Sequence, residues 1–241
     1  MLMLANSLVD GFMVSNLMGK GIVLAQLFGS VIMFAVIIGK WRELGYVKLD
    51  IHRFLWDFQS GNAVIEYYLQ RRPTATNGIV RLYRETCERL FKLLTPEARN
   101  LLVGVRTGED AATALTAREI ELVRGTCEHV LDEEIDRIEG KMTIIATAVA
   151  LEPMLGLLGT VWGVLDAFAE MGSAGSANLA TIAPSISSAL VTTVVGLIVA
   201  IAGVLCFNGL NSSIRARTSE MEGFADELMG RIACEFQGRG A

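Results

Sequence analysis

The chain has 241 residues, 52% of them hydrophobic, and a mean hydropathy of +0.45, which is too apolar for the surface of an ordinary water-soluble domain. The formal net charge is −5 and no run of Lys and Arg lies along a helix or beside aromatics, which excludes a nucleic-acid binder. Cys87, Cys127, Cys206 and Cys234 lie far apart with no CxxC spacing, so neither a disulfide framework nor a metal site is indicated, and all four read as free thiols.

Residues 1–19 precede a first span at 20–40. Its core, "GIVLAQLFGSVIMFAVIIG", is uncharged and about as long as the ~20 residues that cross a bilayer as a helix. The charges of Lys40 and Arg42 follow this run and no small-residue cleavage site comes next, so it reads as an uncleaved anchor.

Residues 41–141 read as helices. Short ones are predicted around 62–72 and 78–94. "TPEARNLL" from Thr95 has an N-cap threonine with proline at the first helical position, and "TARE" at 116–119 has capping-box spacing. From Ala117 the pattern predicts one continuous helix to about Met171, roughly 80 Å long at the rise of an α-helix, with Gly125 and Gly140 as its weak points. Ile120, Val123, Cys127, Val130, Leu131, Ile135 and Ile138 form an amphipathic stripe along it. The shorter helices, or a C-terminal segment with Met221, Phe224, Leu228 and Ile232 in similar spacing, are the candidates to cover it.

A second span is predicted at 142–170, where Glu152 is the only charge between Met142 and Leu165. A third is predicted at 179–210, within a charge-free run from Met171 to Ile214. A loop at 171–178 separates them, with a helix cap near Ser176 or Asn178, and residues 211–241 form a C-terminal helix. Lys40, Arg42 and Lys48 after span one, Arg137 and Lys141 before span two, and Arg215 and Arg217 after span three set the orientation. Residues 41–141 and 211–241 are cytoplasmic, and the N-terminus and the 171–178 loop are outside. Strand-like alternation and solenoid-length repeats are missing from the sequence. The expected class is an all-α membrane protein, with three transmembrane helices and long helices extending into a helical cytoplasmic domain.

Spans two and three carry small residues at steps of three and four, Gly156, Gly159, Gly163 and Ala167 on one and Ala189, Thr193, Gly196, Ala200 and Gly203 on the other. Helices in lipid associate by close backbone approach at such residues, within one subunit or between subunits. Thr160 and Thr193 fall near mid-membrane, with Thr192 and Ser188 close by, where a hydroxyl either back-bonds to its own helix or lines an ion route.

"GLLGTVWGVLDAF", "APSISSALVTTVVGLIVAI" and an "FNGL" exit resemble the ExbB, TolQ and MotA family of ion-channel stator subunits, and the order of three spans is that of ExbB and TolQ. The resemblance implies a homopentameric ring in the lipid of a bacterial inner membrane around two copies of a single-span partner of the ExbD, TolR or MotB type. Ions, H+ or Na+, pass between ring and partner, and no cofactor is implied. Thr160 and Thr193 match the pore threonines of the family, Pro153 matches the proline ahead of "GLLGT", and Pro184 opens the second motif. Ser188 stands where ExbB and TolQ usually carry an intramembrane glutamate. Glu152 and Asp166 are carboxylates outside the usual motif. By helical rise Asp166 lies about 9 Å outward of Thr160, and Ser188 about 7.5 Å outward of Thr193, a shared depth that makes Asp166 a candidate to replace the missing glutamate.

Enzymatic chemistry finds no support: His52 and His129 lie in the predicted cytoplasmic helices, and no serine-hydrolase elbow, Gly-rich phosphate loop or HExxH spacing occurs. The expected function is an ion-conducting subunit of an energy-transducing motor. The alternative is a membrane scaffold that assembles a complex without conducting.

Overall fold

The computed structural model describes residues 17–59, 64, 68, 78–94, 115–174 and 179–236. Five helices carry nearly all of them: α1 Leu17–Gln59, α2 Gly78–Leu93, α3 Ala117–Glu139, α4 Met142–Ala174 and α5 Leu179–Phe236. Three stretches, in α1, α4 and α5, are long and apolar enough to cross a membrane, and no β-strand occurs among the described residues. This is the all-α, three-span class expected.

Two helix limits differ from the expectation. The helix predicted from Ala117 to Met171 is interrupted at Gly140 and Lys141, where Lys141 takes φ +70°, a left-handed conformation that ends a run of α-helix. A Cβ on Gly140 would lie 3.2 Å from the Arg137 carbonyl oxygen, so the turn is also tightest there. Next, α4 continues to Ala174, into the stretch expected to be loop. By contrast, α5 is one helix of 58 residues that carries the third span on through position 210 into the C-terminal segment, in keeping with long helices that extend beyond the membrane. A charge appearing at Arg215 lowers hydropathy without offering the backbone any reason to stop. The helix predicted at 62–72 lies, but for Val64 and Tyr68, outside the described residues, as do "TPEARNLL" and the caps at Ser176 or Asn178.

The chain divides into two compact units, residues 1–41 with 141–211 and residues 42–140 with 212–241, and α1 and α5 contribute to both. In the first unit α4 and α5 run antiparallel along the seam of small residues. A Cβ on Gly156 would meet the Thr193 Cα at 2.9 Å, and one on Gly203 would meet Val149 and Met33 at 2.8 and 2.9 Å. On Gly159 it would overlap Thr192, and on Gly163 it would overlap Ala189. Ala189 is buried in the same seam, and Ala167 and Ala200 are buried as well. The outer faces are apolar and exposed, as lipid contact requires: Leu27 and Phe28 on α1, Leu157, Val161 and Phe168 on α4, Ile198, Ile201 and Leu205 on α5.

In the second unit α2 packs on α3. Val123, Cys127, Val130 and Ile138 of the predicted stripe are buried, while Leu131 and Ile135 are half-buried. The Thr116–Glu119 capping box forms as the sequence suggests, with reciprocal bonds of 2.8 and 3.3 Å. Phe54, Phe58, Tyr83 and Phe224 make an aromatic cluster with neighbouring centroids 5.3–5.9 Å apart, and Met221, Leu228 and Ile232 are buried as their spacing predicts. Cys87 and Cys127 sit in this core, where burial pushes both thiols up from their ordinary range, while Cys234 is exposed.

Glu134 is fully buried on α3. Its carboxylate accepts the Gly78 N–H at 2.9 Å, an Arg81 N–H at 3.0 Å and the Arg137 Nε–H at 3.0 Å. It therefore satisfies a free amide at the start of α2, where the helix dipole favours an anion, and neutralises a guanidinium that also reaches Glu85 and Glu133.

Two stability outcomes are expected. Gly196→Ala places a Cβ 2.5 Å from the Glu152 carbonyl oxygen and from Gln26 Nε2 and should cost about 1–3 kcal/mol, whereas Gly39→Ala, with nothing within 4 Å, should be neutral or gain up to about 1 kcal/mol. Thermal unfolding in detergent compares them. Glu134→Ala leaves buried donors without an acceptor and should cost about 3 kcal/mol, read as roughly hundredfold faster hydrogen exchange of the α2 amides.

Candidate ion pathway in the membrane helices

Within the first unit the small-residue seam fixes the register of α4 against α5: Glu152 lies opposite Gly196, Gly156 opposite Thr193, Gly159 opposite Thr192 and Gly163 opposite Ala189. Thr160 and Thr193 remain within about one turn of the same level in this register. Their hydroxyls have different partners. Thr193 Oγ1 donates across the seam to the Gly156 carbonyl at 2.7 Å, while Thr160 Oγ1 donates back to Leu157 of its own helix at 2.8 Å from a half-buried position. Thr192, 1% exposed, donates to Ala189 at 2.7 Å and approaches the Gly156 carbonyl at 3.4 Å. The small residues and Thr193 thus join helices within one subunit.

Ser188 is buried beside Ala189, and Asp166 is half-buried on α4. Gly163 opposite Ala189 and Glu170 reaching Ser185 set Asp166 level with residues 186–189, so Asp166 and Ser188 lie at about one depth. At this end a pair overlooked in the sequence crosses the seam: Ser185 Oγ donates to the Glu170 carboxylate at 2.9 Å.

Glu152 is 2% exposed, although it lies near the start of span two. It faces α1, where Gly29 makes the room: a Cβ there would lie 2.8 Å from Glu152 Oε1. One turn before Gly29, the fully buried Gln26 donates from Nε2 to the Glu152 carbonyl at 3.3 Å and to the Thr192 carbonyl at 3.1 Å, tying α1 to both other helices. Pro153 follows at once inside α4, and having no N–H it leaves the carbonyl of Val149 without its helical donor. Gln26, Glu152 and Thr192 thus form one buried polar layer, with the half-buried Thr193 beside it. Gln26 was passed over because one uncharged polar residue scarcely lowers the hydropathy of a long apolar run. A search of the first span for hydrogen-bonding side chains would have found it, with Ser30 one turn on, whose hydroxyl back-bonds to Leu27.

Replacing Thr193 by Val keeps the shape and removes the bond across the seam. The expected loss is about 0.6–1.7 kcal/mol, the range of interhelical hydrogen bonds in a membrane protein, with a smaller loss for Thr160→Val. Thermal unfolding of both variants in one detergent checks the order.

The pattern of the MotA/TolQ/ExbB proton channel family matches residues 94–223. The chain is 34% identical over 110 residues to "Tol-Pal system protein TolQ" of Haemophilus influenzae, covering 44% of this chain and 48% of that protein. It is 31% identical over 180 residues to "Biopolymer transport protein ExbB" of Neisseria gonorrhoeae, covering 74% of this chain and 80% of that one. To the ExbB of Xanthomonas campestris pv. campestris the identity is 37% over 161 residues, covering 65% and 62%. The chain therefore spans about half the length of the TolQ it matches and four fifths of the Neisseria ExbB. With over half of its length inside the family pattern, and three helices long and apolar enough for a bilayer, this chain is a membrane protein of the MotA/TolQ/ExbB proton channel family.

Proposed function

We propose that this chain is the ring subunit of an ion-driven motor complex in a bacterial inner membrane, conducting protons together with a single-span partner of the ExbD, TolR or MotB type. The observation that carries this reading is the family match over residues 94–223, which spans α4 and the membrane part of α5. Five copies surround two copies of the partner. The printed functions of the relatives, biopolymer transport and the Tol-Pal system, supply the two branches for the load. Lys40, Arg42, Arg215 and Arg217 support an N-terminus in the periplasm and a C-terminus in the cytoplasm. The exposed apolar faces of α4 and α5 suit neighbouring subunits and lipid alike. The chain acts in transport and carries out no chemical conversion of its own.

A second reading, a scaffold that assembles a complex without conducting, is favoured by one observation: both candidate pore threonines donate to backbone carbonyls of this same chain. The test is reconstitution with the product of the neighbouring reading frame, expected to encode one N-terminal span bearing an aspartate and a periplasmic domain. Native mass spectrometry should give a pentamer and vesicles should show proton flux. Thr160→Val with Thr193→Val should retain the pentamer and lose the flux. A monomer would end the ring reading, and an assembled complex without flux of H+ or Na+ would leave the scaffold.

A further inference from the structure

The geometry points to an intramembrane proton-binding site formed by Glu152 and Gln26, in which the Glu152 carboxyl is held as a neutral acid. Two observations converge on it. Glu152 Oε2 and Gln26 Oε1 are both buried oxygens with no hydrogen-bond donor, and the same glutamine ties their helices together. The amide cannot be turned round to remove the deficit. Its Nε2 sits against two carbonyl oxygens, Glu152 at 3.3 Å and Thr192 at 3.1 Å, and an Oε1 in that place would set acceptor against acceptor.

A pair of acceptors enclosed by helices calls for something that donates. A proton on Glu152 Oε2 supplies it: the O–H becomes a donor to Gln26 Oε1, directly or through one water, and no net charge is then buried. A metal cation fits poorly. The carbonyl oxygens of Glu152 and Thr192 already accept from Gln26, and that of Gly156 accepts from Thr193, so too few oxygens remain for the six or so that a hard cation takes. Nor does a charged neighbour stabilise the carboxylate. On α1 Gly29 faces the carboxyl, and the backbone carbonyl of the same residue meets Gln26 from α1 and Gly196 from α5. The nearest charged positions along the helices are Lys20 and Lys40 on α1, Lys141 and Asp166 around α4, and Arg215 on α5.

The site gives this chain a protonatable group inside its second span. Its role in transport rests on the channel reading, but its occupancy by a proton does not. The test is difference infrared spectroscopy of the full-length protein in lipid vesicles at about neutral pH, with helicity as the folding control. The wild type should show a carboxylic-acid C=O band that Glu152→Gln removes, Glu152→Asp shifts, and Gln26→Leu moves to higher frequency as the acid proton loses its acceptor. The band should also shift on transfer to deuterium oxide. A Glu152→Gln spectrum that superposes on the wild type would overturn the proposal. A band indifferent to deuterium oxide would do the same, revealing a sealed structural acid, and so would a band abolished by sodium but not potassium chloride, revealing a cation site. Lost proton flux with the band intact would instead count against the channel reading alone.

Discussion

The packing of the membrane helices depends on backbone reaching backbone. Where Gly156 lies against Thr193 and Gly196 against the Glu152 carbonyl, no side chain fits between α4 and α5. In lipid, helices gain little from hiding apolar surface from one another, so close approach and the hydrogen bonds it allows must hold them. Thr193 to Gly156 and Gln26 to both Glu152 and Thr192 are made at these closest points. Lengthening the side chain at a seam glycine would therefore remove contacts and hydrogen bonds together.

The second unit follows water-soluble rules. Its core is built of aromatic and aliphatic side chains, with Phe54, Phe58, Tyr83 and Phe224 touching edge to face or nearly stacked. Among its described residues one buried charge is admitted, Glu134, and three donors meet it. Glu152 is buried as deeply with a carboxylate oxygen that no donor meets. Two glutamates of similar burial thus pose different electrostatic problems, one solved by guanidinium and amide, the other by a proton.

Much of this was legible in the sequence. Hydropathy located three apolar stretches, the Thr116–Glu119 spacing marked a capping box that forms, and the stripe from Ile120 to Ile138 marked a buried face. The glycine steps identified the seam, though not which helix each would meet. Other features were hidden for physical reasons. Glu134 occupies a stripe position normally reserved for an apolar residue, because its charge is matched by partners distant in sequence. The break at Lys141 uses a residue type that seldom adopts positive φ. Glu152 could be placed only once Gly29 was known to face it, and that pairing links positions 123 residues apart.

The distribution of the four thiols gives the chain a built-in chemical asymmetry. Cys87 and Cys127 are sealed in an apolar core and held in the protonated state, which makes both slow nucleophiles, while Cys234 stands exposed near the end of α5. A charged, membrane-impermeant maleimide would therefore meet Cys234 of the unaltered protein well ahead of the core pair. The side of the membrane from which it reacts would report the topology of the C-terminal helix without a single substitution.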